Sequence, residues 1–166
     1  YRPGDTLLVH VDTKSPLAEP CELVASYREG DGKIYRLRRL LRRRDVDTDG
    51  QASPPNELVY SSSLIEGRKN RIVGRCRVRF FPKSSPVPTP YDWDGVGGYF
   101  FFSYGMTETH DGMQRCEALD AAPASLRQGW DPATALPQLR GVGLFCGGGN
   151  FGRGLEDGGA IEMRWA

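Results

Sequence analysis

Three consecutive glycines near the end of the chain have the type and spacing of a loop that binds a nucleotide-like cofactor. Residues 147–149 follow a short apolar segment that ends at Phe145, and they precede a predicted helix at residues 150–157. Because glycine has no Cβ, the backbone there can turn tightly and approach a ligand closely. The N–H groups at the start of the helix point into the same space. A predicted strand at residues 160–166 completes one βαβ unit.

The segment from Gly141 to Ala166 resembles the first motif of the DNA cytosine-5 methyltransferases, whose Leu-Phe-Cys/Ser-Gly-x-Gly-Gly loop cradles S-adenosylmethionine and whose last residues are Lys/Arg-Trp-Ala. Two positions depart from the family pattern, because Gly143 replaces the usual Asp and Asn150 replaces the last Gly. The resemblance implies that the loop belongs to an S-adenosylmethionine site. The implied cofactor-binding residues are Phe145, Cys146, Gly147, Gly148, Gly149, Asn150 and Phe151.

In that family the nucleophile is the Cys of a Pro-Cys pair, and an acidic residue after the second strand holds the cofactor ribose. Neither feature occurs in these residues, so the chain contains no predicted catalytic residue. We interpret Cys146 as a small packing residue of the loop. The expectation is a fragment of a DNA (cytosine-5-)-methyltransferase that, on its own, neither methylates DNA nor binds the cofactor measurably.

The composition indicates an intracellular protein. The formal net charge is +1, there is no apolar run near the length of a membrane span, and the first residues do not read as a signal peptide. The four cysteines are widely spaced and only two histidines accompany them, so neither a disulfide framework nor a metal site is predicted.

The first part of the chain has the pattern of a β-rich module. Alternating or β-branched runs between turn residues predict strands at residues 6–11, 22–27, 33–42, 71–81 and 97–104. Residues 45–55 are predicted to be a polar loop and residues 82–90 an extended connector. Short helices are predicted at residues 121–128 and from Asp131. The predicted fold class is mainly β, followed by the first βαβ unit of an α/β, Rossmann-like methyltransferase domain.

This part also resembles the bromo-adjacent homology (BAH) domain, a β-rich chromatin module. The resemblance rests on Pro3-Gly4-Asp5, on an Arg-rich third strand that ends in Arg44-Asp45, on Asn56-Glu57-Leu58-Val59-Tyr60-Ser61, and on Ile72-Val73-Gly74-Arg75-Cys76-Arg77-Val78. A BAH module directly before a cytosine methyltransferase core implies a nuclear, chromatin-associated enzyme, most similar to the fungal branch. The predicted divisions are a BAH-like module at 1–105, a connector at 106–139 and the start of the catalytic domain at 140–166.

The third predicted strand carries the candidate partner surface. Its arginines have no acid among them and predict contact with DNA phosphates or with an acidic protein. The alternative is a solvated strand face on which the arginine stems cover apolar neighbours, and the sequence pattern would be the same. These residues are Arg38, Arg39, Arg42, Arg43 and Arg44.

Some BAH modules bind a methylated histone lysine in an aromatic cage, to which the third strand often supplies Trp and Tyr. The corresponding residues here are Arg39 and Leu41, which argues against a cage. Tyr27, Tyr35 and Tyr60 would have to form one elsewhere, and we favour reading them as half-buried sheet aromatics.

Two classes of function stay open. The first is a part of an enzyme that transfers a methyl group from S-adenosylmethionine to cytosine in chromatin, with DNA and a histone or chromatin adaptor as partners. The second is a non-catalytic chromatin or protein-interaction module. A small-molecule methyltransferase or a Rossmann oxidoreductase would fit the glycine loop but would leave the β-rich module unexplained. A downstream Pro-Cys-Gln and Glu-Asn-Val would favour the first class.

Overall fold

The structure, a computed structural model, describes residues 1–12, 16–108, 114–129, 131–132, 139–142 and 161–165. The chain divides into two units, Tyr1–Pro132 and Ala133–Ala166. Of residues 139–142 and 161–165 it describes the strands and not the side chains.

An eight-stranded sheet makes up most of the first unit. The strands in chain order are β1 Thr6–Val9, β2 Glu19–Glu29, β3 Gly32–Arg42, β4 Glu57–Arg68, β5 Ile72–Arg75, β6 Arg77–Phe80, β7 Tyr99–Glu108 and β8 Gln114–Ala118. Their order across the sheet is β5-β1-β2-β3-β4-β7-β6, with β8 paired to β7. The predicted β-rich class of this part is therefore confirmed.

The run at residues 71–81, predicted as one alternating strand, is two strands separated by Cys76. β5 pairs with β1 and β6 pairs with β7, at opposite ends of the strand order. Because one residue separates the two strands, the sheet must curl until its edges meet at Cys76. The N–H of Cys76 donates to the carbonyl of Thr6 at 3.1 Å. The prediction of one strand is wrong because the alternation of apolar and basic residues continues through the bend, which periodicity cannot reveal.

Two apolar clusters fill the inside of the curled sheet. One consists of Leu40, Leu58, Cys76, Val78, Phe100, Phe102 and Leu126, and the other of Leu7, Val9, Cys21, Leu23, Tyr35 and Leu37. The aromatic run of β7 is buried, as its composition predicts. Burial raises the pKa of the Cys21 and Cys76 thiols to about 12 in each case, so both stay protonated near neutral pH and serve as packing residues.

The segment at residues 121–129 contains turns and no helix, which corrects the predicted short helix there. Leu126 is buried, and the N–H groups of Arg127 and Gly129 donate to the carbonyls of Gly4 and Val78 at 2.9 and 3.0 Å. These long-range bonds replace the local ones that a helix would supply. This segment and β8 therefore belong to the first unit, whose end at Pro132 lies beyond the predicted module boundary near residue 105.

The predicted polar loop at residues 45–55 is partly helical. A one-turn helix, α1, spans Arg43–Val46, and a 3-10 turn spans Thr48–Gly50. The Asp47 side chain caps the 3-10 turn by accepting from the N–H of Asp49 at 3.2 Å. Both pieces follow β3 directly, so they fix where the arginines at its end point.

The second unit contains two short strands, β9 Leu139–Val142 and β10 Ile161–Trp165, which pair in parallel. A parallel pair needs a crossover connection. β10 lies within the predicted second strand at residues 160–166, whereas β9 ends at Val142, where the predicted first strand begins. The predicted helix at residues 150–157 lies outside the described residues. The Rossmann-like βαβ unit therefore stays a prediction.

Candidate interaction surface at the end of strand β3

The predicted partner surface, here called the arginine cluster, lies at the C-terminal end of β3 and in α1. It consists of Arg38, Arg39, Arg42, Arg43 and Arg44. β3 lies between β2 and β4 in the sheet, and the pairing with β2 places Glu22 opposite Arg38. A register shift against β4 occurs between Arg38 and Leu40. The cluster is therefore surrounded by strands that supply acids from elsewhere in the sequence.

Arg38 neutralises a buried carboxylate. The Glu22 side chain has no solvent exposure, and its Oε2 accepts from Arg38 Nε at 3.2 Å and from the Tyr60 hydroxyl at 2.7 Å. Arg38 Nη1 also donates to the carbonyl of Ser61 at 3.1 Å. Burial raises the pKa of Tyr60, and the hydrogen bond to Glu22 raises it further against an opposing bond to Ser125. Arg38 is therefore held inside the domain.

Arg39 and Arg43 also form ion pairs within the domain. Arg39 Nη2 lies 2.7 Å from Glu19 Oε2. Arg43 contacts two acids, with Nε at 2.9 Å from Asp47 Oδ2 and Nη1 at 3.1 Å from Glu57 Oε1. Because each guanidinium already faces a carboxylate, neither offers a full uncompensated charge to a phosphate backbone.

Arg42 and Arg44 differ from the other three. The Arg42 guanidinium lies 4.8 Å from the centre of the Phe100 ring and donates to the carbonyl of Pro55. Burial lowers the pKa of Arg42, and the charge of Arg44 lowers it further. The Arg44 side chain is 48% exposed and reaches Asp45 only at 3.8 Å. Arg44 is thus the exposed member of the cluster that a partner could engage, whereas Arg42 is held by contacts within the domain.

A cavity of about 420 Å³ opens beside Arg42 and Arg44. Its apolar lining includes Leu17, which is 74% exposed, Val46 and Phe100. Glu19, Asp45 and Asp94 add carboxylates to the same lining. A concave site with apolar walls and a few charged groups suits a protein segment better than a uniform polyanion.

One wall of this cavity is the loop between Tyr91 and Tyr99, and Asn56 holds that loop in place. Asn56 is fully buried, and its Nδ2 donates to the carbonyls of Tyr91 at 2.7 Å and Tyr99 at 3.0 Å. Gly95 adopts a φ of 92° next to it, a left-handed conformation that favours glycine. This is the physical role of the Asn-Glu-Leu motif: Asn56 fixes the loop, while Glu57 pairs with Arg43.

Tyr27, Tyr35 and Tyr60, the tyrosines considered for an aromatic cage, occupy separate environments. Tyr35 is buried in the core, Tyr60 stacks on Phe102 with ring centres 5.8 Å apart, and the Tyr27 hydroxyl donates to Glu66 at 2.7 Å. No described contact brings their rings together. They are sheet aromatics, as we favoured from the sequence.

The cofactor loop, residues 145–151, lies outside the described residues. Within the described ranges, no group of three or more His, Cys, Asp or Glu side chains is placed to hold a metal ion. No helix in that part of the chain is long and apolar enough to cross a membrane.

Comparison with known proteins gives the fold. No protein-family model matches the sequence, and no curated protein matches it. Among solved structures, the chain is similar to the BAH domain of yeast Rsc2, with a TM-score of 0.52 and 14% sequence identity. The similarity covers 72% of this chain and 50% of the Rsc2 chain, so this chain spans about half the length of that structure. The fold is therefore BAH-like, as the motifs in the first part predict.

Proposed function

We propose that the first unit is a chromatin-interaction module that docks a histone or chromatin-adaptor segment in the cavity at the end of β3. The observation that carries the proposal is the BAH-like fold of this chain. Four separate segments of its sequence also resemble BAH modules. The lining of the cavity indicates what kind of peptide would bind. Arg44 could pair with an acidic side chain of the peptide, and Leu17 and Val46 could contact an apolar side chain next to it. Such a module acts in the nucleus.

Protein is favoured over DNA as the ligand of this surface. Non-specific DNA binding needs several uncompensated cations along one face, since each neutralised phosphate releases counterions. In the arginine cluster, Arg38, Arg39 and Arg43 are each paired with acids of the same domain. DNA contact through the whole cluster stays an alternative, and the experiment below separates it from protein docking.

The variant Arg44→Glu/Val46→Glu is expected to weaken binding to reconstituted nucleosomes by about tenfold or more, because it reverses the exposed charge and removes an apolar wall. Binding is measured by fluorescence anisotropy with labelled nucleosomes and, separately, with the same DNA free of histones. The wild-type protein should prefer nucleosomes.

The matched control is Lys69→Glu/Val73→Glu, which makes the same chemical change at exposed residues after β4 and in β5. It should leave nucleosome affinity within about twofold of wild type. Equal affinity for nucleosomes and free DNA, with a steep salt dependence, would instead support the DNA alternative. Equal losses in the two variants would contradict docking in this cavity.

We further propose that this module belongs to a DNA cytosine-5 methyltransferase whose S-adenosylmethionine loop is residues 145–151. The support is the resemblance of the last residues to the first methyltransferase motif, together with the parallel pairing of β9 and β10. In a protein that carries this loop together with a Pro-Cys segment, Gly149→Val should weaken cofactor binding, because a branched side chain intrudes where backbone meets ligand. Cys146→Ser should retain methyl transfer to DNA. If Cys146→Ser bound the cofactor normally but transferred no methyl group, the role given to this loop would be wrong.

A further inference from the structure

A second cavity, here called the Asp5 groove, lies away from the end of β3 and collects arginines from three parts of the chain. Its volume is about 770 Å³. Arg2 precedes β1, Arg75 and Arg77 flank Cys76, and Arg127 comes from the segment that packs across the sheet. Asp5 is the one acid in its lining, so four arginines and a single carboxylate line the groove.

The Asp5 carboxylate orients two of these arginines without neutralising the groove. Its Oδ2 lies 3.0 Å from Arg75 Nη2, and its Oδ1 lies 3.6 Å from Arg127 Nη1. Oδ2 also accepts from the backbone N–H of Arg2 at 2.9 Å. Among the residues that the structure describes, no carboxylate pairs with the guanidinium of Arg2 or Arg77. Most of the donors of the four arginines are therefore left for solvent or a ligand.

The scaffold of the groove is fixed before any ligand arrives. The N–H of Arg127 is bonded to the carbonyl of Gly4, and Gly4 has a φ of 85°. A Cβ at Gly4 would lie 2.6 Å from the Ser125 carbonyl oxygen, so the two segments meet backbone to backbone. Arg77 is further placed over the Tyr99 ring, 5.1 Å from its centre. The backbone of the groove is therefore preorganised, while the side chains of Arg75 and Arg127, 64% and 57% exposed, are accessible to an anion.

We propose that the Asp5 groove binds a phosphorylated side chain of an acidic protein segment. A phosphoserine or phosphothreonine concentrates nearly two negative charges and three acceptor oxygens on one group, which matches a concavity lined by four arginines. A nucleic-acid backbone instead carries one charge per phosphate, spread along the strand. The groove is separate from the cavity at the end of β3, so this inference stands or falls independently of the proposed function.

The test uses a short fluorescein-labelled peptide of Gly, Ser and Glu that carries one phosphoserine, and its unphosphorylated twin. We expect the protein to bind the phosphorylated peptide about tenfold more tightly or better, since each additional charge-assisted hydrogen bond strengthens binding several-fold. Arg75→Gln/Arg77→Gln should abolish this preference. Inorganic phosphate should compete weakly, because it supplies the anion without the peptide, and a DNA duplex should bind more weakly than the phosphopeptide.

The charge-matched control is Arg36→Gln/Arg68→Gln, which removes the same two charges from exposed positions on β3 and β4. It should keep the preference for the phosphopeptide. Arg75→Lys/Arg77→Lys retains charge and fold but not bidentate geometry, so it should give an intermediate affinity. Arg127→Gln should also weaken binding of the phosphopeptide, and it changes no residue of β5 or β6. Equal affinity for the two peptides, equal losses in the control pair, or a preference for DNA would overturn the proposal.

Discussion

Arg38→Met is expected to lower the free energy of unfolding of the first unit by about 3 kcal/mol, because it leaves a buried carboxylate without its cation. Glu22 has no solvent exposure, and its Oε2 is shared by Arg38 Nε and the Tyr60 hydroxyl. Methionine keeps much of the volume of the arginine stem, so the loss measures charge and hydrogen bonding more than packing. Urea denaturation followed by tryptophan fluorescence and circular dichroism gives the difference.

A double-mutant cycle isolates the ion pair. Arg38→Met/Glu22→Gln removes both charges and should be clearly more stable than Arg38→Met alone, since no buried charge remains. Arg36→Met, on the same strand but exposed, should change stability by less than about 0.5 kcal/mol. If Arg38→Met were as mild as Arg36→Met, the arginine cluster would not be held by internal ion pairs, and DNA contact through it would regain support.

The internal ion pairs explain why the arginine cluster could be located from the sequence but its free charge could not be predicted. The run at the end of β3 is visible because its arginines are neighbours in the chain. Three of the acids that pair with it are not: Glu19 and Glu22 come from the preceding strand, and Glu57 comes from β4. Only Asp45 and Asp47 follow the run directly. A run that has five arginines within seven residues therefore looks uncompensated until the register of β2 and β4 is known. The sequence predicts where the charge is, and the pairing decides how much of it is free.

The Asp5 groove shows the opposite case. Arg2, Arg75, Arg77 and Arg127 form no run, and the last of them falls where a helix was predicted. They meet because the sheet curls at Cys76 and because the segment at residues 121–129 is bonded to Gly4, which precedes β1, and to Val78 in β6. Both features depend on contacts that are distant in sequence. By contrast, β1, β2, β3 and β7 were predictable, since local alternation and turn residues suffice to specify a strand.

The largest effect on the candidate surface is expected from Asn56. Asn56→Ala should destabilise the first unit by about 3 kcal/mol, because two hydrogen bonds are lost and two carbonyls lose a buried donor. The carbonyls belong to Tyr91 and Tyr99, which bound the loop that forms one wall of the cavity at the end of β3. The variant should therefore also lose nucleosome binding under conditions in which it remains folded, because the wall that carries Asp94 and Gly95 is released.

Asn56→Asp should be worse than alanine at neutral pH, at about 4 kcal/mol, since it places a carboxylate against two carbonyl oxygens. Burial would raise the pKa of the new carboxyl above its unfolded value, so its protonated form favours folding. The deficit should accordingly be smallest below about pH 4 and should grow as the pH rises through the folded pKa. Asn70, exposed after β4, supplies matched controls. Asn70→Ala and Asn70→Asp should each stay within about 0.5 kcal/mol of wild type, and comparable losses at the two positions would show that Asn56 does not hold the loop.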